Sequence, residues 1–300
     1  MKINKIIALA LIAVSTAACD DDDNNVNTND VTVSMQESTL NVSEDVVAGV
    51  YYNLPVVLSG ETNGPVTVEV QLTEVSQNPA TEDEDYLFTS KKIVIPAGEQ
   101  VGNFEFYSIG DNEINADRQF IATIISAEGA NIGNEKTCLV TLIDNEKFLP
   151  EAYADIQGTY IATGSSASGS LEFPLTITGY PEDDPRYLNE VMTSGWRNYE
   201  FVTAPATVIL DAVTMEVTLQ FSIGSTMAEG VEFQGLGACD VKLCGFDGQY
   251  YYTSGTISMK SNPERTSFAT EGLGILGGVY LNDQFQGSWF AWENVSMVKQ

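Results

Sequence analysis

The sequence predicts an all-β protein of two consecutive domains. Hydrophobic residues recur with a period of two in both halves: Val66, Val68, Val70 and Leu72 alternate with Thr67, Glu69 and Gln71, and Val217, Leu219 and Phe221 alternate with Thr218 and Gln220. Turn signals such as Asn63-Gly64, Pro96-Ala97-Gly98 and Glu128-Gly129 separate the runs. Between the halves lies a short junction containing Pro150, which implies limited freedom between domains.

At the start, Lys2 and Lys5 precede an apolar run over residues 6–14, followed by Ser15, Thr16, Ala17 and Ala18. A charged region, an apolar region and small residues are the three parts of a secretory signal. The run is far short of the roughly 20 apolar residues that span a bilayer, so residues 1–18 are expected to be removed. Thr16-Ala17-Ala18-Cys19 resembles the lipobox of bacterial lipoproteins, although Thr16 stands where an aliphatic residue is usual. Asp20, Asp21, Asp22 and Asp23 resemble the acidic export signal of Bacteroidota surface lipoproteins. These resemblances imply acylation at Cys19, an outer-membrane lipid partner and exposure on the cell surface. Residues 24–30, rich in Asn and Asp, complete an acidic tether over residues 19–30.

Residues 31–147 contain β-rich runs at 66–72, 92–95, 103–107, 120–126 and 137–143. About seven strands without helical periodicity describe an immunoglobulin-like β-sandwich. Within the last run Cys138, Val140 and Leu142 alternate with Thr137, Leu139 and Thr141, which points Cys138 into a core. Along this module the chain resembles the Calx-β domains. The resemblance rests on Asn41-Val42-Ser43-Glu44, Asp85-Tyr86, Ile95-Pro96-Ala97-Gly98-Glu99, Ile109-Gly110-Asp111-Asn112-Glu113 and Val140-Thr141-Leu142-Ile143-Asp144-Asn145-Glu146. It implies a calcium cluster at one end of the sandwich, with Glu44, Asp85, Asp111, Asp144 and Glu146 as acidic ligands. Calcium takes about six to eight oxygens, which converging loops supply. The pattern departs from the family at Gly110, Asn115, Arg118 and Asn145. An arginine aimed at the site would replace the cation by pairing with the carboxylates, so calcium and a metal-free network both stand as readings.

Residues 148–300 carry further runs at 158–162, 171–178, 199–203, 207–210, 238–244, 250–259, 274–280 and 285–298. Roughly eight or nine strands fit an up-and-down barrel or a jelly-roll sandwich. Ile156-Gln157-Gly158-Thr159-Tyr160 and Gly287-Ser288-Trp289-Phe290 resemble the ends of lipocalin-like domains of secreted lipoproteins. Cys239 and Cys244 are a disulfide only if the chain bends between them. In one strand they would sit on opposite faces roughly 16 Å apart, beyond the limit of about 7 Å, as two buried thiols.

Composition narrows the function. A net charge of −29 repels phosphate backbones, which excludes nucleic acid as a partner. The chain has no histidine, which excludes Ser-His-Asp and Cys-His catalysis and histidine-bearing zinc sites. Carboxylate-pair glycoside hydrolysis survives in principle, but no pair stands out. All three tryptophans, Trp196, Trp289 and Trp292, lie in the second half with Tyr250, Tyr251 and Tyr252. Large aromatics commonly fill a barrel core; exposed ones grip sugar faces. Trp196 is expected in an exposed loop, within the long irregular stretch 179–198, and Tyr251 is the tyrosine expected to face away from its neighbours. The expected function is a non-catalytic binding or adhesion module that captures a glycan or surface protein, with a small-ligand carrier or inhibitor as the alternative.

Overall fold

The computed structural model describes residues 31–44, 51–111, 113–166 and 169–300. The signal peptide, Cys19 and the aspartates Asp20, Asp21, Asp22 and Asp23 lie outside the described residues.

The N-terminal part is a sandwich of two five-stranded sheets. Its strands are β1 (Thr32–Met35), β2 (Thr39–Ser43), β3 (Tyr52–Ser59), β4 (Val66–Glu74), β5 (Tyr86–Phe88), β6 (Lys92–Ile95), β7 (Val101–Ser108), β8 (Arg118–Glu128), β9 (Asn131–Ile132) and β10 (Thr137–Ile143). One sheet runs β5-β7-β3-β1-β9 and the other β2-β10-β8-β4-β6. The first strand run is split between the sheets: β1 pairs with β3, while β2 crosses over to lie parallel to β10. Alternate residues point inward as the pattern requires, and Tyr86 stacks on Phe120 at 4.0 Å while Phe88 stacks on Phe106 at 5.0 Å. Cys138 is buried in this core.

Residues expected to be a plain connector form a helix, α1 (Leu149–Asp155). Pro150 suits its first turn, where a backbone N–H has no helical partner. Its Leu149, Ala152 and Tyr153 are buried, and Tyr153 Oη donates to the Glu190 carbonyl at 2.7 Å.

The C-terminal part is a closed eight-stranded barrel with a second sheet laid against it. The barrel strands are β11 (Gly158–Ser166), β12 (Gly169–Gly179), β13 (Glu190–Ser194), β14 (Thr203–Leu210), β15 (Val217–Ser222), β19 (Thr256–Ser261), β20 (Ser267–Glu271) and β23 (Asn294–Lys299), closed by pairing of β23 with β11. The β15–β19 connection carries β16 (Thr226–Phe233), β17 (Gly237–Phe246) and β18 (Tyr251–Tyr252). The β20–β23 connection carries β21 (Gly274–Leu281) and β22 (Gln284–Trp292). These two excursions meet where β17 pairs with β21, which builds the second sheet. Tyr160, Phe173, Trp196, Phe221, Met259 and Phe268 fill the barrel, and Val241, Leu243, Ile275, Phe290 and Trp292 of the second sheet pack against it. Cys239 and Cys244 lie along the single strand β17 as free, buried thiols.

The two parts touch through specific hydrogen bonds. Ala212 N–H donates to Ser43 Oγ at 3.0 Å, and Asn145 Nδ2 donates to the Leu210 carbonyl at 3.4 Å. The end of the sandwich that faces the barrel is therefore the end that carries the acids. Among the described residues no helix is long and apolar enough to cross a membrane.

Candidate functional site

Two places concentrate chemistry. The first is the acidic end of the sandwich. Parallel pairing of β2 with β10 sets Ser43 beside Ile143, so the next residues, Glu44 and Asp144, emerge together. Pairing of β5 with β7 brings Asp85 to the loop holding Asp111, where the Asp85 carbonyl accepts from Ile109 N–H at 2.8 Å. Arg118 opens β8 opposite Leu142 and is thereby delivered into the same loops.

The five acids separate into two groups. Arg118 donates through Nη1 to Asp85 Oδ1 and through Nη2 to Asp111 Oδ2, the latter at 3.2 Å. Asp85 also accepts from Thr81 N–H at 2.7 Å. Glu44, Asp144 and Glu146 form the other group, all buried, with carboxylate oxygens within 4.8 Å of one another. Burial pushes the Glu44 carboxyl up to about 7; Arg118 opposes the rise, and Asp111, Asp144 and Asp85 add to it. Burial likewise pushes Glu146 up to about 7, with Asp144 adding to it. Asp144 accepts backbone N–H groups from Asn115 and Glu146. Glu146 Oε2 and Asn145 Oδ1 are buried with no hydrogen-bond partner. Orphaned acceptors in a native interior call for an explanation; a proton, which the raised Glu146 carboxyl retains up to about pH 7, or a cation would each supply one for Glu146. Asp117, which sequence reasoning passed over, accepts from Asp144 N–H at 3.2 Å and from Lys147 Nζ at 2.7 Å.

The second place is a cleft beside the barrel. Trp196, expected to be exposed, is instead 1% exposed. Gly195 has φ of +97°, and a Cβ there would meet the Pro174 carbonyl oxygen at 2.6 Å. That left-handed residue turns the chain back and drives the indole inward. Its Nε1 donates to Thr193 Oγ1 at 2.8 Å, and its ring packs between Phe173 and Phe221. A quarter of the stretch expected to be irregular, Glu190–Ser194, is strand β13.

The residues after Trp196 are the ones that face outward. Arg197 and Asn198 adopt φ of +56° and +67°. Two consecutive non-glycine residues in this region cost roughly 1–2 kcal/mol each, which buried Trp196 beside them offsets. Tyr199 and Phe201 are 41% and 56% exposed, with ring centroids 5.5 Å apart. Trp289 joins them from β22. The register of β22 on β21 skips Trp289, so it is the extra residue of a bulge, the device that re-aims a side chain. Tyr199 lies 5.1 Å from Trp289, and the Arg197 guanidinium lies over the same indole at 4.9 Å. A cavity of about 480 Å³ is lined by Leu171, Arg197, Ser288, Trp289, Trp292 and Glu293. An adjoining cavity of about 360 Å³ is lined by Leu171, Glu172, Arg197, Asn198 and Tyr199. Arg197 and Leu171 thus form the ridge between them.

Tyr251 is 47% exposed and stacks on Phe285 at 4.4 Å. It pairs with Phe246, a residue of the larger cavity's wall, without lining that cavity. Trp196 and Tyr251 are therefore not brought together. Tyr199, Trp289 and Arg197 are.

No protein-family model and no curated protein matches the sequence. Among solved structures, the apo-form Calx CBD1 domain is 19% identical, covers 38% of this chain and 96% of its own, and gives a TM-score of 0.32. A Bacteroides ovatus protein of unknown function is 10% identical over 91% of this chain and 95% of its own, with a TM-score of 0.32. A second Bacteroides ovatus protein, provisionally named carbohydrate-binding, is 13% identical over 87% of this chain and 70% of its own, with a TM-score of 0.31.

Proposed function

We propose that this chain is a lipid-anchored surface protein that binds carbohydrate without transforming it, with the cleft at Arg197, Tyr199 and Trp289 as the binding face. The observation that carries this is the exposed aromatic group itself: rings from two distant segments, one placed by strained backbone and one by a bulge, meet at an open cleft with Glu172, Ser288 and Glu293 beside them. Flat rings take the apolar face of a sugar, and carboxylates, a hydroxyl and a guanidinium fix its hydroxyls. The large side chains Tyr160, Phe173, Trp196, Phe221, Met259 and Phe268 inside the barrel weigh against the alternative of an enclosed small-ligand carrier. The absence of histidine supports a non-catalytic role. The resemblance of Thr16-Ala17-Ala18-Cys19 to a lipobox, with four aspartates directly after the cysteine, supports the anchor.

The test is a broad glycan array probed with the full chain and with Tyr199→Ala/Trp289→Ala. Binding lost in the double variant supports the reading, and silence of the parent chain across the array overturns it. Metabolic labelling with a fatty-acid analogue tests the anchor; label that persists in Cys19→Ala refutes it.

The acidic junction fits one hard cation such as calcium, held by Glu44, Asp144 and Glu146, of which Glu146 Oε2 has no other partner. Asp85 and Asp111 are taken by Arg118, so the site is smaller than the five-acid cluster implied by sequence. A divalent ion held there would offset most of the negative charge that Glu44, Asp144 and Glu146 place together. Thermal melts in calcium and in chelator decide this, and identical midpoints would remove the cation from the proposal.

A further inference from the structure

The cleft also indicates what kind of sugar it takes, an inference that rests on the carbohydrate reading above. The chain has 42 acidic and 13 basic residues, and its arginines are otherwise neutralised. Arg118 pairs with Asp85 and Asp111, Arg186 with Asp184, and Arg265 with Asp155. Arg197 alone among the arginines forms no ion pair with the described residues, although Glu172 and Glu293 line the cavities on either side of it. Its guanidinium is held against the Trp289 ring instead. A contact to the ring engages no carboxylate, so N–H groups of the fork remain for a planar anion, which a guanidinium matches in bidentate fashion.

The placement is built rather than incidental. Arg197 sits on left-handed backbone between buried Trp196 and exposed Tyr199, and its ring partner is the bulged residue of another strand. Strained backbone of this kind persists where the surrounding structure over-determines it, and clusters at ligand clamps. We propose that the cleft recognises an acidic sugar, a pyranose bearing one carboxylate, whose carboxylate accepts from Arg197 while its ring lies against Tyr199. Glu172 and Glu293 accept hydrogen bonds from hydroxyls at neighbouring neutral positions and repel a second charge. The site therefore selects a singly carboxylated unit over a densely sulfated chain.

Titration calorimetry of the full chain in chelator tests this against three sets of probes. These are galacturonate and glucuronate oligosaccharides, their methyl esters, and neutral galactose and glucose oligosaccharides of equal length. The expected result is binding of an acidic oligosaccharide at least about tenfold tighter than its ester, a difference of about 1.4 kcal/mol. Arg197→Lys, with Arg197→Gln as a second variant, should erase that preference while leaving the thermal midpoint unchanged. Acid and ester binding equally, with both lost in Tyr199→Ala, overturns the acidic-sugar inference and leaves the carbohydrate reading standing. Acid binding that survives both Arg197 variants overturns it as well. Silence toward all three sets also overturns it, and the glycan array then decides the broader reading on its own.

Discussion

Replacing Glu44 by glutamine should stabilise the sandwich, and only at neutral and alkaline pH. Glu44 is 4% exposed and its carboxyl is pushed up to about 7 from 4.5, chiefly by burial. Below about pH 4.5 the group is protonated in folded and unfolded chains alike, and its burial carries no ionisation penalty. As pH rises, the unfolded chain releases the proton first, so stability falls through the window from 4.5 to about 7. Above that window the folded state holds a buried carboxylate. Each tenfold difference in proton affinity is worth about 1.4 kcal/mol, so the penalty is on the order of 3 kcal/mol. Glu44→Gln keeps the shape and removes the charge. Urea unfolding in chelator at pH 8 should show its midpoint raised by roughly 1 M or more, given m-values of about 1–3 kcal/mol/M for small domains. At pH 4 the two midpoints should coincide. Millimolar calcium at pH 8 should reverse the order, because the ion needs the carboxylate that glutamine lacks. A glutamine variant that is less stable than the parent at pH 8 in chelator, or shifted equally at both pH values, would refute this account of the junction.

Two other changes separate the parts of the argument. Arg118→Gln leaves Asp85 and Asp111 without their cation and should destabilise the sandwich in chelator by about 1–3 kcal/mol, between the values for exposed and buried pairs; calcium should restore much of the loss, and a denaturation curve unaffected by either change would contradict the network. Trp196→Phe removes the hydrogen bond to Thr193 and part of the packing against Phe173 and Phe221, so the barrel should lose about 1–3 kcal/mol. Glycan affinity should stay unchanged in that variant, and a specific loss of binding by a well-folded Trp196→Phe would return Trp196 to the site.

Strand alternation made the all-β class legible, because a period of two follows directly from the pleat. The junction acids were legible only through the resemblance to Calx-β domains, and the pairing of strands supplies the physical reason they converge. Glu44 and Asp144 follow the ends of strands whose pairing brings them together. The division of those acids between Arg118 and the buried triad was not legible, since it depends on which loop the guanidinium reaches. The helix Leu149–Asp155 is too short for a helical period to show. Trp196 was misplaced because the turn residues around it describe the chain on either side, whereas one left-handed glycine decides where the indole goes. Trp289 gave no signal, because a bulge is a mismatch with another strand and has no trace in its own. The second sheet escaped for the same reason, being built from two insertions that meet only in the folded barrel.

The parallel pairing of β2 with β10 has a mechanical consequence. Tension applied to the sandwich enters at the N-terminal end of its first strands and leaves through the C-terminal end of β10. Because β2 and β10 run in the same direction, that tension pulls them past each other lengthwise. Their five paired positions, from Leu139 beside Thr39 to Ile143 beside Ser43, are then strained together instead of opening one by one. A sandwich wired this way resists a steady pull along the chain and yields abruptly, and the acidic junction sits at the end of the strand through which the force departs.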